Sequence, residues 1–206
     1  MRKGLRVIAF AAALAGAGCV SVSEDVSSLG QVSGDEVLVV GKIEIIPPIK
    51  AEEQTYKAGW DVFNTKRHFI GRAILFMSDK PQVEERTSVA LNPPLETVFF
   101  LPLKRDQRFM VKGSVTMELV NRVVTRRQVV TDQSELLFPA PVEFDVRPAD
   151  KAIYVGTLRL YRDEFHEVTR AEVRDEFSAA SAAFRSKFPG APLPRKALLR
   201  APKAAR

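Results

Sequence analysis

Phe109-Met-Val-Lys-Gly-Ser-Val-Thr-Met-Glu-Leu119 decides the fold class, because apolar or small residues recur in it at every second position. Phe109, Val111, Gly113, Val115, Met117 and Leu119 share one face of an extended chain, while Lys112, Ser114, Thr116 and Glu118 fill the other. Side chains of a strand alternate between faces, so this stretch predicts a strand packed on one side and wet on the other. Upstream, Glu36-Val-Leu-Val-Val-Gly-Lys-Ile-Glu-Ile-Ile46 opens as a continuous apolar run, alternates through Lys42 and Glu44, and stops at Pro47-Pro48. His68 to Met77 is a further strand, as is Thr97 to Leu103, where Pro102 fits an edge or terminal position. Residues 51 to 65 hold no sustained alternation and read as a connection. Downstream, Val123 to Thr131 continues the meander and Val142, Phe144 and Val146 alternate with Glu143 and Asp145. Ile153 to Tyr161 and Phe165 to Val173, separated by Arg162-Asp163-Glu164, predict a hairpin.

After that hairpin the period changes. Phe177, Ala180, Ser181, Phe184 and Phe188 recur at helical spacing, with Asp175 as N-cap and Pro189-Gly190 as the stop. This predicts one amphipathic helix over 175–188 whose phenylalanines pack on the sheet. The expected architecture is mainly β: an antiparallel β-sandwich of about seven strands with one C-terminal amphipathic helix and disordered tails, a small closed barrel being the alternative. Gly41, Gly71 and Gly156 sit in the similar contexts Val39-Val40-Gly41-Lys42, Phe69-Ile70-Gly71-Arg72 and Tyr154-Val155-Gly156-Thr157, at spacings with no fixed period. A glycine inside a strand marks a bulge or a close crossing of another segment.

The N-terminus carries an address. Arg2, Lys3 and Arg6 form a basic region, Val7 to Leu14 an apolar one, and Ala15-Gly16-Ala17-Gly18 a small-residue zone before Cys19, the single cysteine. About 12 apolar residues are too few for a transmembrane helix, which needs roughly 20. The expectation is a signal peptide over 1–18, a lipidated Cys19, a tether over 19–35, a sandwich domain over 36–188 and a basic, proline-containing tail over 189–206. Ala13-Leu14-Ala15 and Ala15-Gly16-Ala17 also satisfy the rule for ordinary signal cleavage, which would give a soluble periplasmic protein. A lone cysteine forms no internal disulfide, so the exported domain relies on its core.

The net charge of +6 is distributed unevenly. Residues 1–18 carry +3 and residues 189–206 carry +5, leaving −2 on the body between them. A nucleic-acid-binding domain bears its cations on the fold, so nucleic acid is excluded as a partner. In the tail, Arg195, Lys196, Arg200, Lys203 and Arg206 stand among four prolines. The stretch reads as extended or disordered, either a solubilising tail or a contact with anionic lipid headgroups or an acidic envelope polymer. A lipid chain with a polybasic patch would make a two-signal membrane attachment.

The Cys19 start, the early Val-Val-Gly-Lys-Ile strand, and Ile153-Tyr-Val-Gly-Thr-Leu followed by Val173-Arg-Asp-Glu-Phe together resemble a family of bacterial envelope lipoproteins. Ala15-Gly16-Ala17-Gly18-Cys19 is similar to a lipobox, with Gly16 and not leucine three residues before the cysteine. The resemblance implies a transthyretin-like or carboxypeptidase-regulatory-like sandwich, an outer-membrane location in the absence of Asp after Cys19, and no catalytic residue.

Reactive side chains are scarce: two histidines, one cysteine, and no G-x-S-x-G or H-E-x-x-H. Asp163, His166 and Glu167 are the candidate metal ligands, the basis of a metal-assisted hydrolase reading. On a strand, His166 would face away from Glu167, so convergence requires a loop. His68 stands beside Lys66 and Arg67 with no nucleophile at hand. A pocket around Tyr56 and Trp60 would favour the soluble ligand-binding alternative. The sequence therefore predicts a non-catalytic, lipid-anchored binding or assembly module that needs no cofactor and has an envelope protein as its further partner.

Overall fold

The computed structural model describes residues 22–23, 25–50, 71–82, 89–119 and 132–202. Two sheets pack face to face around one core and do not close into a barrel among these residues. The first sheet runs β1 (Val22–Ser23), β4 (Val89–Leu91), β3 (Ile74–Ser78), β6 (Phe109–Leu119) and β7 (Asp132–Leu137), with β8 (Val142–Glu143) also on β6. The second runs β10 (Val168–Arg174), β9 (Ala152–Arg162), β2 (Glu36–Ile46) and β5 (Phe99–Lys104), with β11 (Arg195–Lys196) also on β9. The β-sandwich expectation holds, and the barrel does not. The purely antiparallel one needs correcting: β2 lies parallel to β9, β11 parallel to β9, and β1 parallel to β4. A connection of more than 100 residues separates β2 from β9, long enough for a parallel pairing that no hairpin could make. Trp60, Tyr56, His68 and the strand expected over 123–131 lie outside the described residues.

One end of the sandwich carries the start of β2, the 105–108 turn and the start of β9, tied by the bonds from Leu38 N–H to Lys151 O (3.0 Å) and from Arg105 N–H to Asp35 O (3.1 Å). The other end carries Ile46, paired with Tyr161, and the tip of the β9–β10 hairpin.

Strand β9 changes faces along its length. Val40 pairs with Tyr154 and Gly41 with Gly156, so Val155 is an extra residue opposite β2, and Gly156 takes φ +99°. Before the bulge Ile153 and Val155 point into the intersheet core; beyond it Leu158 and Leu160 do. Ala152 and Tyr154 face the opposite side, where α1 (Phe177–Lys187) covers Leu38, Val40 and Phe100 with Ala180, Phe184 and Phe188. The helix begins two residues later than expected: Glu176 is its N-cap, and the Asp175 carboxylate accepts the Phe177 N–H at 3.2 Å. A second extra residue, Val111, on β6 brings Met110 into the intersheet core and breaks the single apolar face expected for that strand.

Past the helix, the outer face of the second sheet is polar. Arg159 bridges Glu44 (2.5 Å) and Glu176 (2.7 Å). Burial acts to raise the Glu44 carboxyl, but hydrogen bonds from Lys42 and Arg159 outweigh it and hold the group below the usual carboxylate range.

Strand β1, Asp25-Val26 and residues 194–200 brace the two edges of the sandwich. The expected tether is part of the fold from Val22 on: β1 extends the first sheet, Val26 is buried against α1, and Asp25 accepts the Phe100 N–H (2.9 Å) and meets Lys187 (2.6 Å). This segment crosses from the β4 side to the β5 side and seals that long edge. It also explains Pro102. Phe100 presents its N–H and C=O to Asp25 and Val26 at the outer edge of β5, so Pro102, two residues on, turns its donorless nitrogen the same way.

Candidate functional site

The C-terminal cations are built into the fold, which corrects the expectation of a disordered tail. Ala197 N–H bonds Tyr154 O (2.8 Å), Leu199 N–H bonds Val155 O (2.9 Å), and Glu143 and Arg200 exchange backbone bonds that link the two sheets. Pro194 and Ala197 are buried and Leu199 packs against the core. Arg195 grips Asp150 with two nitrogens (2.9 and 2.6 Å) and bonds the Asp145 carbonyl (2.8 Å). That hydrogen bond holds the Asp150 carboxyl below its usual range and raises the guanidinium in turn. Lys196 pairs with Asp175 (2.8 Å) over the ring of Phe177, lowering that carboxyl. Arg200 pairs with Glu143 at 3.0 Å. Three of the five residues assigned to envelope contact thus meet carboxylates of their own chain, while Lys203 and Arg206 lie outside the described residues, as does Cys19.

The hairpin tip does not assemble a metal site. Asp163 Oδ1 accepts the backbone N–H groups of Phe165 (2.9 Å) and Glu167 (3.0 Å), using the carboxylate to shape its own turn. His166 adopts φ 64°, and its Nδ1 meets the guanidinium of Arg162. A cation at that nitrogen is a poor neighbour for a metal ion. Asp163, His166 and Glu167 are therefore close in the chain without converging, and no group of three metal-binding side chains occurs among the described residues.

What the tip does form is one wall of a groove of about 380 Å³ between β7 and β10, lined by Glu135, Leu137, Phe138, Pro139, His166, Glu167 and Val168. Leu137 is 54 % exposed, and Phe165, next to two of the lining residues, is 73 % exposed. Glu135 meets Lys112 at 3.5 Å across the strand pair. The residues come from segments 30 positions apart, so no local motif announces the groove. One signal was available: Leu136-Leu137 breaks the alternation of its strand, and the second leucine has no inward face left.

A wider cleft of about 670 Å³ lies at the opposite end, between the 29–36 segment, the 148–151 turn and Ala191-Pro192. Arg105 crosses it, donating to the carbonyls of Gly34 and Arg147 at 3.3 Å each. The gap between the sheets is about 30 Å³ and lined by apolar surface, too small for an organic ligand.

In the cleft, the Ser33 hydroxyl donates to Asp35 Oδ1 at 2.6 Å, and its backbone N–H donates to Glu36 Oε2 at 3.0 Å. Comparison with protein-family models, curated proteins and solved structures returns no match for this chain. The groove and the cleft are thus interpreted from their own chemistry.

Proposed function

We propose that this chain is a lipid-anchored protein of the bacterial cell envelope, seated in the outer membrane, whose sandwich is a non-catalytic binding or assembly module. The observation that carries the reading is the short distance between Cys19, at the end of a signal-like segment, and Val22, already paired to Ala90. Three residues reach at most about 10 Å. An acyl chain on Cys19 would therefore hold the folded domain close to the membrane. The non-catalytic part rests on where polar groups are used: Asp163 shapes a turn, His166 meets Arg162, and Asp150, Asp175 and Glu143 hold the C-terminus in place.

The test is the mass of the mature N-terminal peptide from the membrane fraction, beside a Cys19→Ser control. A diacylglycerol-modified peptide beginning at Cys19 and lost in the control is expected. An unmodified peptide beginning at Gly16, Gly18 or Val20 would sink the anchor and promote the soluble ligand-binding reading, for which the 670 Å³ cleft is the candidate site. Alanine at Asp163, His166 and Glu167 is expected to change surface charge and local turn stability without removing a hydrolytic activity.

A further inference from the structure

We infer that the groove between β7 and β10 receives an extended, basic and apolar segment of a partner protein, added as a strand. The inference rests on the binding-module reading and supplies the surface and the chemistry of its partner. Topology singles out the location. Among the described strands β7 and β10 end their sheets on the same side, the opposite side being sealed by β1 and Asp25-Val26. The lower half of the β7/β10 side is sealed as well, by β8 and its bridge to Arg200. The groove lies on the stretch left between the two edges. A terminal strand offers backbone N–H and C=O groups to an incoming strand, and pockets for alternate side chains supply selectivity.

Side chains define the occupant. Leu137, Pro139 and Val168 give it an apolar lining, with Phe165 standing beside it. Glu135 and Glu167 line it and Glu164 is exposed on the adjoining tip. Of the nearby cations, Arg162 donates to the carbonyls of Pro47 (3.1 Å) and Pro48 (3.2 Å) and meets the ring nitrogen of His166 on the groove wall, while Arg170 lies over the ring of Tyr161, 3.7 Å from its centre. Lys112 touches Glu135 at an exposed site where such a pair is readily exchanged. An acidic groove with apolar walls fits a strand alternating lysine or arginine with β-branched residues.

The probe is the heptapeptide Lys-Val-Lys-Val-Lys-Val-Lys, titrated into the full-length chain in detergent micelles while backbone amide shifts are followed. The isomer Lys-Lys-Lys-Lys-Val-Val-Val has the same charge without the alternation. Expected are saturable shifts confined to 133–138 and 163–170, binding about tenfold weaker for the isomer, and a further loss of about tenfold or more in Glu135→Lys/Glu167→Lys, whose melting temperature stays at the parent value. No saturation up to about 1 mM, shifts centred elsewhere, equal binding of the isomer, or self-association of the chain through these residues overturns the inference. The N-terminal peptide mass of the same preparation reports the anchor separately, so a lipidated chain that ignores the peptide refutes the groove and leaves the anchor standing.

Discussion

Val155 has no opposite number on β2, and the residue after it shows what that costs the backbone. Gly156 takes φ +99°, and a β-carbon there would lie 2.7 Å from Val173 Cγ1. Gly156→Ala is expected to destabilise the domain by roughly 1–3 kcal/mol, read as a lower urea midpoint with unchanged slope. At Gly41 the same addition would meet Phe99 Cζ at 2.7 Å and Val155 Cγ2 at 2.8 Å. Both readings of an in-strand glycine, bulge and close crossing, were therefore legible in the sequence. The switch of faces was not, because a period of two carries no record of where one residue is skipped. The pair Asp150–Arg195 makes a different prediction. Its carboxyl is depressed in the folded state by the guanidinium, so its contribution is present above the unfolded value of about 3.9 and is lost as pH falls through the lower folded value. Acid titration of stability should therefore be flatter in Asp150→Asn than in the parent below about pH 4. Arg195→Ala, which leaves Asp150 buried without its guanidinium, is expected to cost about 2 kcal/mol at neutral pH in the same urea assay.

Among the elements, α1 and the C-terminal stretch teach opposite lessons about sequence. Helical spacing of phenylalanines marked the face of α1 correctly, since Phe184 is fully buried and stacks near Phe100 and Phe188. Phe184→Ala should cost about 3–5 kcal/mol in chemical denaturation. The segment 191–202 read as a tail because prolines and cations dominate it, yet its few apolar residues find the core and its cations find carboxylates up to 57 positions away. Composition records neither kind of partner. Ending the chain at Gly190 should lower the melting temperature by several degrees, whereas a solubilising tail would leave it unchanged; differential scanning calorimetry decides. The groove was hidden for the same reason, being made where two distant strand edges face each other.

For the molecule as a whole, the direction of β1 sets an orientation. Val22 pairs with Ala90 in parallel, and the start of β4 lies beside Met77 and so beside Met110 at the start of β6. The start of β1 at Val22 thus points toward the end that carries the 105–108 turn. The hairpin tip lies the length of β9 away, 11 residues or about 35 Å. If Cys19 carries the proposed acyl chain, a fluorophore at position 106 of the vesicle-bound protein should transfer energy strongly to an acceptor on lipid headgroups and one at position 165 only weakly; equal transfer would refute the orientation. The sealing of one long edge by β1 and Asp25-Val26, and of part of the other by the Glu143–Arg200 bridge, also bears on time. Central strands β2 and β9 stand more than 100 residues apart, and the bridge from Glu143 to Arg200 joins segments 57 positions apart. Such pairings pay their loop-closure entropy before any contact repays it. A chain of this design stays open until its distant segments meet, so the local pairs β6–β7 and β9–β10 are expected to form before the sandwich closes.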